Sequence, residues 1–227
     1  MIEAVVFDLD DTLYDEVDYC RSGFAAAAQY LAGLPEYPNA ESILDGLWKQ
    51  FSGGNRTRTF NAALEQLGVC FDAQLIHKLI EVYRNHVPTI NLPDDSRKVL
   101  DKLAPNYTLA MLTDGFLPAQ RLKVGALGIE HYFKRIIYTE QLGRQFWKPS
   151  SVGFEELIRT LNVKAENAAY VADNEKKDFI APNRLGFATI RVIRPAGIHT
   201  EPCCEPDGGA RHIIRDITDL PGLLAEL

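Results

Sequence analysis

The stretch Ala4-Val5-Val6-Phe7-Asp8-Leu9-Asp10-Asp11-Thr12-Leu13 passes from apolar to acidic within a few residues, and the fold follows from how it is read. Val5, Val6 and Phe7 have the β-branched and aromatic composition of a strand buried on both faces of a parallel sheet. Asp8 then falls at the carboxyl end of that strand, where open α/β sheets bind their ligands. Carboxylates packed this tightly raise each other's pKa unless a cation or a proton intervenes, so the three aspartates imply a bound cation. Capping of the next helix by Asp10 and Asp11 is the competing explanation of this segment taken alone.

Outward from that strand, strand-like runs recur at residues 107–113, 135–139, 168–173 and 187–193, with a sixth candidate at 212–215. Helical apolar spacing fills 94–103, 118–127 and 150–161, with Pro118 and Pro149 suited to a first helical turn. Strand alternating with helix predicts an α/β fold with a doubly wound parallel sheet. One interval breaks the alternation. Residues 15–88 contain no convincing strand, only helical segments at 16–31, 41–51, 57–67 and 72–86, punctuated by Pro35, Pro38, Gly53-Gly54 and Gly68. The expectation is a catalytic core of residues 1–14 and 89–227 with a helical cap of 15–88 inserted after the first strand, acting as a lid over the aspartates. The longest loop candidate is 194–210, rich in Pro and Gly.

A chain of 227 residues suffices for a large core with a smaller inserted unit. No stretch approaches the roughly 20 continuous apolar residues of a membrane span, and the first residues enter a strand without a charged leader and cleavage site. A cytoplasmic location with no membrane partner is therefore expected. The net charge of −7 disfavours nonspecific nucleic-acid binding. Cys20, Cys70, Cys203 and Cys204 form no CxxC pair and read as free thiols, while the scattered histidines form no HExxH zinc motif. Assembly as a monomer or a homodimer is left open.

The strand ends say more together than separately. The first ends in Asp8, the second in Thr113-Asp114-Gly115 and the fourth in Asp173, with Asp178 soon after; Lys148 precedes Pro149 at the start of the helix that follows the third strand. In a doubly wound sheet all of these converge on one edge. Carboxylates, a hydroxyl, an ammonium and a glycine turn are what phosphoryl transfer needs. Hard oxygen ligands select Mg²⁺, the hydroxyl and helix-start amides hold phosphate oxygens, and the lysine offsets their charge.

In these residues the chain resembles the haloacid dehalogenase-like superfamily of hydrolases. Asp8-Leu9-Asp10-Asp11-Thr12 is similar to its DxDxT motif, Thr113 to its second motif, Lys148 with Pro149 to its third, and the run from Asp173 to Asp178 to its fourth. The insert between the first two resembles the family's C1 cap. Two positions depart from the usual pattern: Ala172 stands where glycine is usual and Asp114 where asparagine commonly follows the threonine. Asp114 is thus expected to add negative charge near the phosphate.

The resemblance implies roles. Asp8 would be the nucleophile that forms an aspartyl-phosphate. Asp10 would be the acid and base, with a pKa above that of Asp8. Thr113, Asp114 and Lys148 would meet the phosphate. Mg²⁺ would be held by the carboxylates of Asp8 and Asp173 and the main-chain carbonyl of Asp10, while Asp178 would orient Lys148 or reach the metal through water. Asp11, Asp15 and Asp18 read as capping or solvated residues. The turn from Ser52 to Arg58 resembles the family's specificity loop, so Arg56 or Arg58 is a candidate contact for the leaving group of a small phosphorylated substrate. Three alternatives share parts of this pattern: a 2-haloacid dehalogenase, which needs neither the metal nor Asp10; a phosphomutase, which differs in its cap; and a phospho-aspartate receiver domain, which has no helical insert.

Overall fold

The computed structural model describes residues 1–199 and 201–227, so the 194–210 loop expectation lies outside the described residues at Thr200. One sheet is formed by β1 (Ala4–Phe7), β2 (Thr108–Thr113), β3 (Arg135–Tyr138), β4 (Ala168–Ala172), β5 (Ala188–Val192) and β6 (His212–Ile214). All neighbouring pairs are parallel, in the order β3-β2-β1-β4-β5-β6. Hence β1 lies at the centre. The chain builds to one side of it through β2 and β3, then crosses to its other side for β4 to β6. A crevice therefore opens outside the carboxyl ends of β1 and β4, the switch point at which such sheets bind ligands.

Alternation along the strands sends Val6, Ala110, Leu112, Tyr170 and Ala172 to one face. There they pack with Phe154, Leu157 and Leu161 of α7 (Val152–Leu161) and with Phe179 and Phe187. Each large apolar side chain removed from water in this layer contributes about 1.5–3 kcal/mol. The register pairs Phe7 with Val171 and with Met111. Asp8 is the next residue, and its N–H donates to the Val171 carbonyl at 2.9 Å, so its side chain emerges beside the end of β4 where Asp173 follows. The remaining core helices are α5 (Asp94–Leu103), α6 (Ala119–Leu127), α8 (Ile180–Leu185) and α9 (Leu220–Glu226).

The chain divides into two compact units, Met1–Val17 with Asn91–Leu227, and Asp18–Ile90. The second is helical, built from α1 (Glu16–Ala32), whose first two residues belong to the first unit, α2 (Ala40–Ser52), α3 (Thr59–Leu67) and α4 (Ala73–Asn85). Phe24 of α1 is its aromatic centre, with Phe51, Phe60 and Tyr83 at ring-centroid distances of 5.5, 5.9 and 5.4 Å. Asn39 and Asp72 cap α2 and α4 by accepting the N–H groups of Ser42 and Leu75. α3 begins two residues later than its apolar spacing predicts. The cause is local: Asn55 Oδ1 accepts the Arg58 N–H and the Thr59 hydroxyl donates to the Asn55 carbonyl, which closes a turn ahead of the helix. Among the described residues no helix is long and apolar enough to cross a membrane.

Candidate active site

β1, β4 and the loop before α7 bring four charged groups together. Lys148 Nζ donates to Asp8 Oδ1 at 2.7 Å and lies 2.7 Å from Asp178 Oδ1, with all three side chains buried. The Tyr170 hydroxyl accepts from the same ammonium at 3.0 Å. Asp178 is held in place because its Oδ2 accepts the Asn174 N–H at 2.9 Å. Burial disfavours every charge here, and the neighbours decide which side chains keep theirs. Burial and the nearby Asp178 push Asp8 up to about 6, against the pull of Lys148. For Asp178 burial acts upward too, but Lys148 and Lys177 outweigh it and hold the carboxyl below its usual range. Lys148 is raised well above the ordinary lysine value, because Asp178 and Asp8 outweigh its burial.

Asp173 is the odd member. Burial, then repulsion from Asp178, Asp8 and Asp11, push it up to about 9. Its Oδ2 is buried without a hydrogen-bond partner among the described residues, an arrangement that costs free energy unless something fills it. Asp8, Asp173 and Asp178 each offer an oxygen within 4.8 Å of the others, a hard all-oxygen donor set suited to a divalent cation. Asp173 also borders a cavity of about 190 Å³ shared with Asp11, Arg191, Arg194, Gly197 and His199.

Asp10 emerges on the other side of the same turn, in a setting that the sequence did not suggest. Lys123 Nζ donates to both of its oxygens at 2.8 and 2.9 Å, Gln120 Nε2 donates to Oδ2 at 2.9 Å, and the Tyr14 hydroxyl donates to Oδ1. Burial raises Asp10, but Lys123 and these hydrogen bonds outweigh it and leave the carboxyl below its ordinary value. Among the protein's own groups Asp8 is thus pushed up and Asp10 held down, whereas the expected order supposes a bound Mg²⁺ that lowers Asp8. Thr113 joins this arrangement, its hydroxyl accepting from Gln120 Nε2 at 2.7 Å.

The other candidate residues fall as follows. Asp114 is buried and its charge is matched: Oδ1 accepts from Thr139 Oγ1 at 2.7 Å and from the Lys148 N–H at 3.2 Å, while Lys177 approaches Oδ2 at 3.4 Å. Instead of adding an uncompensated charge, it ties the end of β2 to the segment that carries Lys148. Asp11 is not solvated. It is fully buried at φ 51°, accepts the N–H groups of Glu16 and Ile198, and is pushed up to about 6 by burial. Asp15 is paired with Arg194 at 2.6 Å, and Asp18 is exposed. Arg56 and Arg58 belong to the helical unit and are exposed; the first stacks over Phe51 and the second pairs with Glu65 at 3.3 Å.

Sequence reasoning missed several residues at this edge, Gln120, Lys123 and Tyr170 among them. Gln120 and Lys123 stand three apart among the buried Ala119, Val124 and Leu127 of α6. A buried amide and a buried ammonium on an apolar helix face were the available signal. Tyr170 carried a fainter one, a phenol in the middle of an otherwise aliphatic strand.

A family model described as haloacid dehalogenase-like hydrolase matches residues 2–186. The chain is 30% identical over 214 residues to a glyceraldehyde 3-phosphate phosphatase of Methanopyrus kandleri, covering 91% of each chain. It is 27% identical over 242 residues to a phosphoserine phosphatase of Thermus thermophilus, covering 91% of this chain and 94% of that one. Among solved structures, a 2-haloacid dehalogenase from Pseudomonas syringae pv. Tomato is similar at a TM-score of 0.66 and 27% identity, with 100% of this chain and 99% of that chain covered.

Proposed function

The chain belongs to the haloacid dehalogenase-like hydrolases, and on that footing we propose that it is a Mg²⁺-dependent phosphatase of a small phosphorylated metabolite, with Asp8 as nucleophile. The observation that carries the proposal is the buried Asp8–Lys148 pair lying beside an Asp173 oxygen that has no hydrogen-bond partner among the described residues. Asp8, Asp173 and Asp178, with the main-chain carbonyl of Asp10, would hold the ion. Bound Mg²⁺ supplies charge neutralisation for the phosphate and for the crowded carboxylates.

The residues then divide the work. Lys148, kept charged, draws the phosphoryl group to Asp8, and Thr113 holds a phosphate oxygen. An Asp8 oxygen attacks phosphorus as the bond to the leaving oxygen breaks, and Asp10 gives that oxygen its proton. An arriving phosphate dianion favours the protonated form of Asp10, because a nearby like charge raises a carboxyl pKa. Asp10, now a carboxylate held by Lys123, Gln120 and Tyr14, next takes a proton from water. The water oxygen attacks the phosphorus of the aspartyl-phosphate, the bond to Asp8 breaks, and inorganic phosphate leaves. The relatives named above are phosphatases of a triose phosphate and of phosphoserine, so three-carbon phosphates head the substrate class, ahead of larger sugar phosphates and nucleoside monophosphates. The reading keeps a cytoplasmic monomer or homodimer without nucleic-acid or membrane partners, on composition.

The test is phosphate release from a panel of phosphorylated metabolites, with Mg²⁺ and with excess chelator, using Asp8→Asn as the blank. Activity that needs both Mg²⁺ and Asp8 is expected. The likeness to a 2-haloacid dehalogenase supplies the rival reading: halide release from a 2-haloacid that persists with chelator, and no phosphate release, would replace the proposal.

A further inference from the structure

Gln120 and Lys123 occupy neighbouring turns of one face of α6, and both side chains are buried. Neither position is needed to pack the helix, since an apolar residue would serve an apolar face at lower desolvation cost. What they do is meet at Asp10. Lys123 grips both carboxylate oxygens, which defines the plane of the carboxylate as well as its place. Gln120 spans two groups with one amide nitrogen, donating to Asp10 Oδ2 at 2.9 Å and to Thr113 Oγ1 at 2.7 Å.

The second bond has a directional consequence. A hydroxyl has one hydrogen and two lone pairs, so a Thr113 oxygen that accepts from Gln120 keeps its own hydrogen for another acceptor. That hydrogen is what a phosphate oxygen requires. The backbone makes room for the bridge: a Cβ on Gly115, at φ 142°, would lie 2.7 Å from Gln120 Cδ and 2.8 Å from Gln120 Cγ. The glycine after Asp114 therefore accommodates a side chain as well as a turn.

We propose that Lys123 and Gln120 are positioning residues that together aim Asp10 at the leaving oxygen and turn the Thr113 hydroxyl into a phosphate donor. The inference rests on the reading of Asp10 as general acid, and it adds residues outside the four motif segments. Productive proton transfer needs the donor within hydrogen-bond reach in a defined direction, and a carboxylate without its clamp would sample other rotamers.

The test uses leaving groups. A triose phosphate leaves as a basic alkoxide that must be protonated, whereas 2,4-dinitrophenyl phosphate leaves as an anion that needs no proton. kcat/KM for each reports the step that forms the aspartyl-phosphate. Relative to wild type, Lys123→Met should lose about tenfold to a hundredfold more on glyceraldehyde 3-phosphate than on the dinitrophenyl ester, a part of the roughly hundredfold to ten-thousandfold that general acid catalysis supplies, as befits a residue that positions the acid. Asp10→Asn, measured beside it, should show the same selectivity. If Asp10→Asn is selective and Lys123→Met loses equally on both esters, Lys123 is structural and the inference falls alone. If Asp10→Asn is itself unselective, the general-acid reading falls and the inference with it. Should Lys123→Met not fold, Lys123→Gln keeps a polar group in place, and the same selective loss is expected of it. Gln120→Leu should in addition raise KM on both esters, because both present the phosphate that Thr113 holds; an unchanged KM on both would remove Gln120 from the assignment.

Discussion

The Lys148 ammonium reaches Asp8 at 2.7 Å across 140 residues of sequence, and the same nitrogen lies 2.7 Å from Asp178. One cation thus serves two buried anions. Removing it leaves them only the weaker pull of Lys177, and breaking a buried pair in this way typically destabilises by about 3–5 kcal/mol. In chelator, Lys148→Met should unfold at markedly lower urea. Tyr170→Phe removes only a hydroxyl from the same nitrogen, so a loss of about 1–2 kcal/mol is expected, with activity reduced less than by Lys148→Met. Equal losses of stability in the two variants would mean that the ammonium does not hold the cluster together.

Acidity offers a second check, in which the direction is set by burial. Asp173 is raised to about 9, and Asp8 and Asp11 to about 6, from an ordinary value of 3.8. The folded protein therefore binds protons that the unfolded chain has released, and stability in chelator falls as pH rises, from about 4 toward about 9. Asp10 and Asp178 are held low and act in the opposite sense, with stability lost as pH falls below about 4 through their folded values. Urea midpoints between about pH 5 and 9 in chelator should thus decline with pH. A flat profile would contradict the raised values.

Mg²⁺ competes with the proton on Asp173. The rise in Tm produced by a fixed Mg²⁺ concentration should accordingly grow as pH increases through the range in which Asp173 ionises. Asp173→Asn has no proton to lose there and removes a ligand. An undiminished Mg²⁺ shift in that variant would exclude Asp173 from the metal site.

Gly115→Ala places a side chain at φ 142° and drives its Cβ to 2.7 Å from Gln120. A destabilisation of about 1–3 kcal/mol is expected from the backbone conformation, with a further steric part. In a Gln120→Ala background the steric part should disappear. A double-mutant cycle in urea measures the coupling, and strict additivity would mean that the two residues do not compete for this space.

Arg58 pairs with Glu65 at the surface, and exposed pairs of this kind contribute about 0–1 kcal/mol. Arg58→Ala should leave Tm nearly unchanged. If Arg56 or Arg58 recognises the leaving group, its loss should lower kcat/KM on the best natural substrate by about tenfold to a hundredfold, with a smaller effect on a small aryl phosphate. Equal effects on both substrates in both variants would take this turn out of the specificity assignment.

The abrupt change at Phe7–Asp8 and the strand–helix alternation were sufficient to identify a parallel sheet, because an apolar run ended by carboxylates has few other places in a fold. The same logic located Thr113, Lys148 and Asp173, each at or near the end of a periodic element, and strand periodicity is a local property that a sequence records. Protonation was not legible in that way. Whether Asp10 or Asp8 titrates higher depends on Lys123, which is 113 residues from Asp10 and joins it only when α6 folds against the turn that follows β1. The Asp173 oxygen that lacks a hydrogen-bond partner among the described residues, and the contacts of Asp114 with Thr139 and the Lys148 N–H, were hidden for the same reason. The order of residues determined which groups reach the sheet's edge, by period and chain reversal; only the tertiary structure decided which charges lie within 3 Å of one another and out of water, and those distances fix their chemistry.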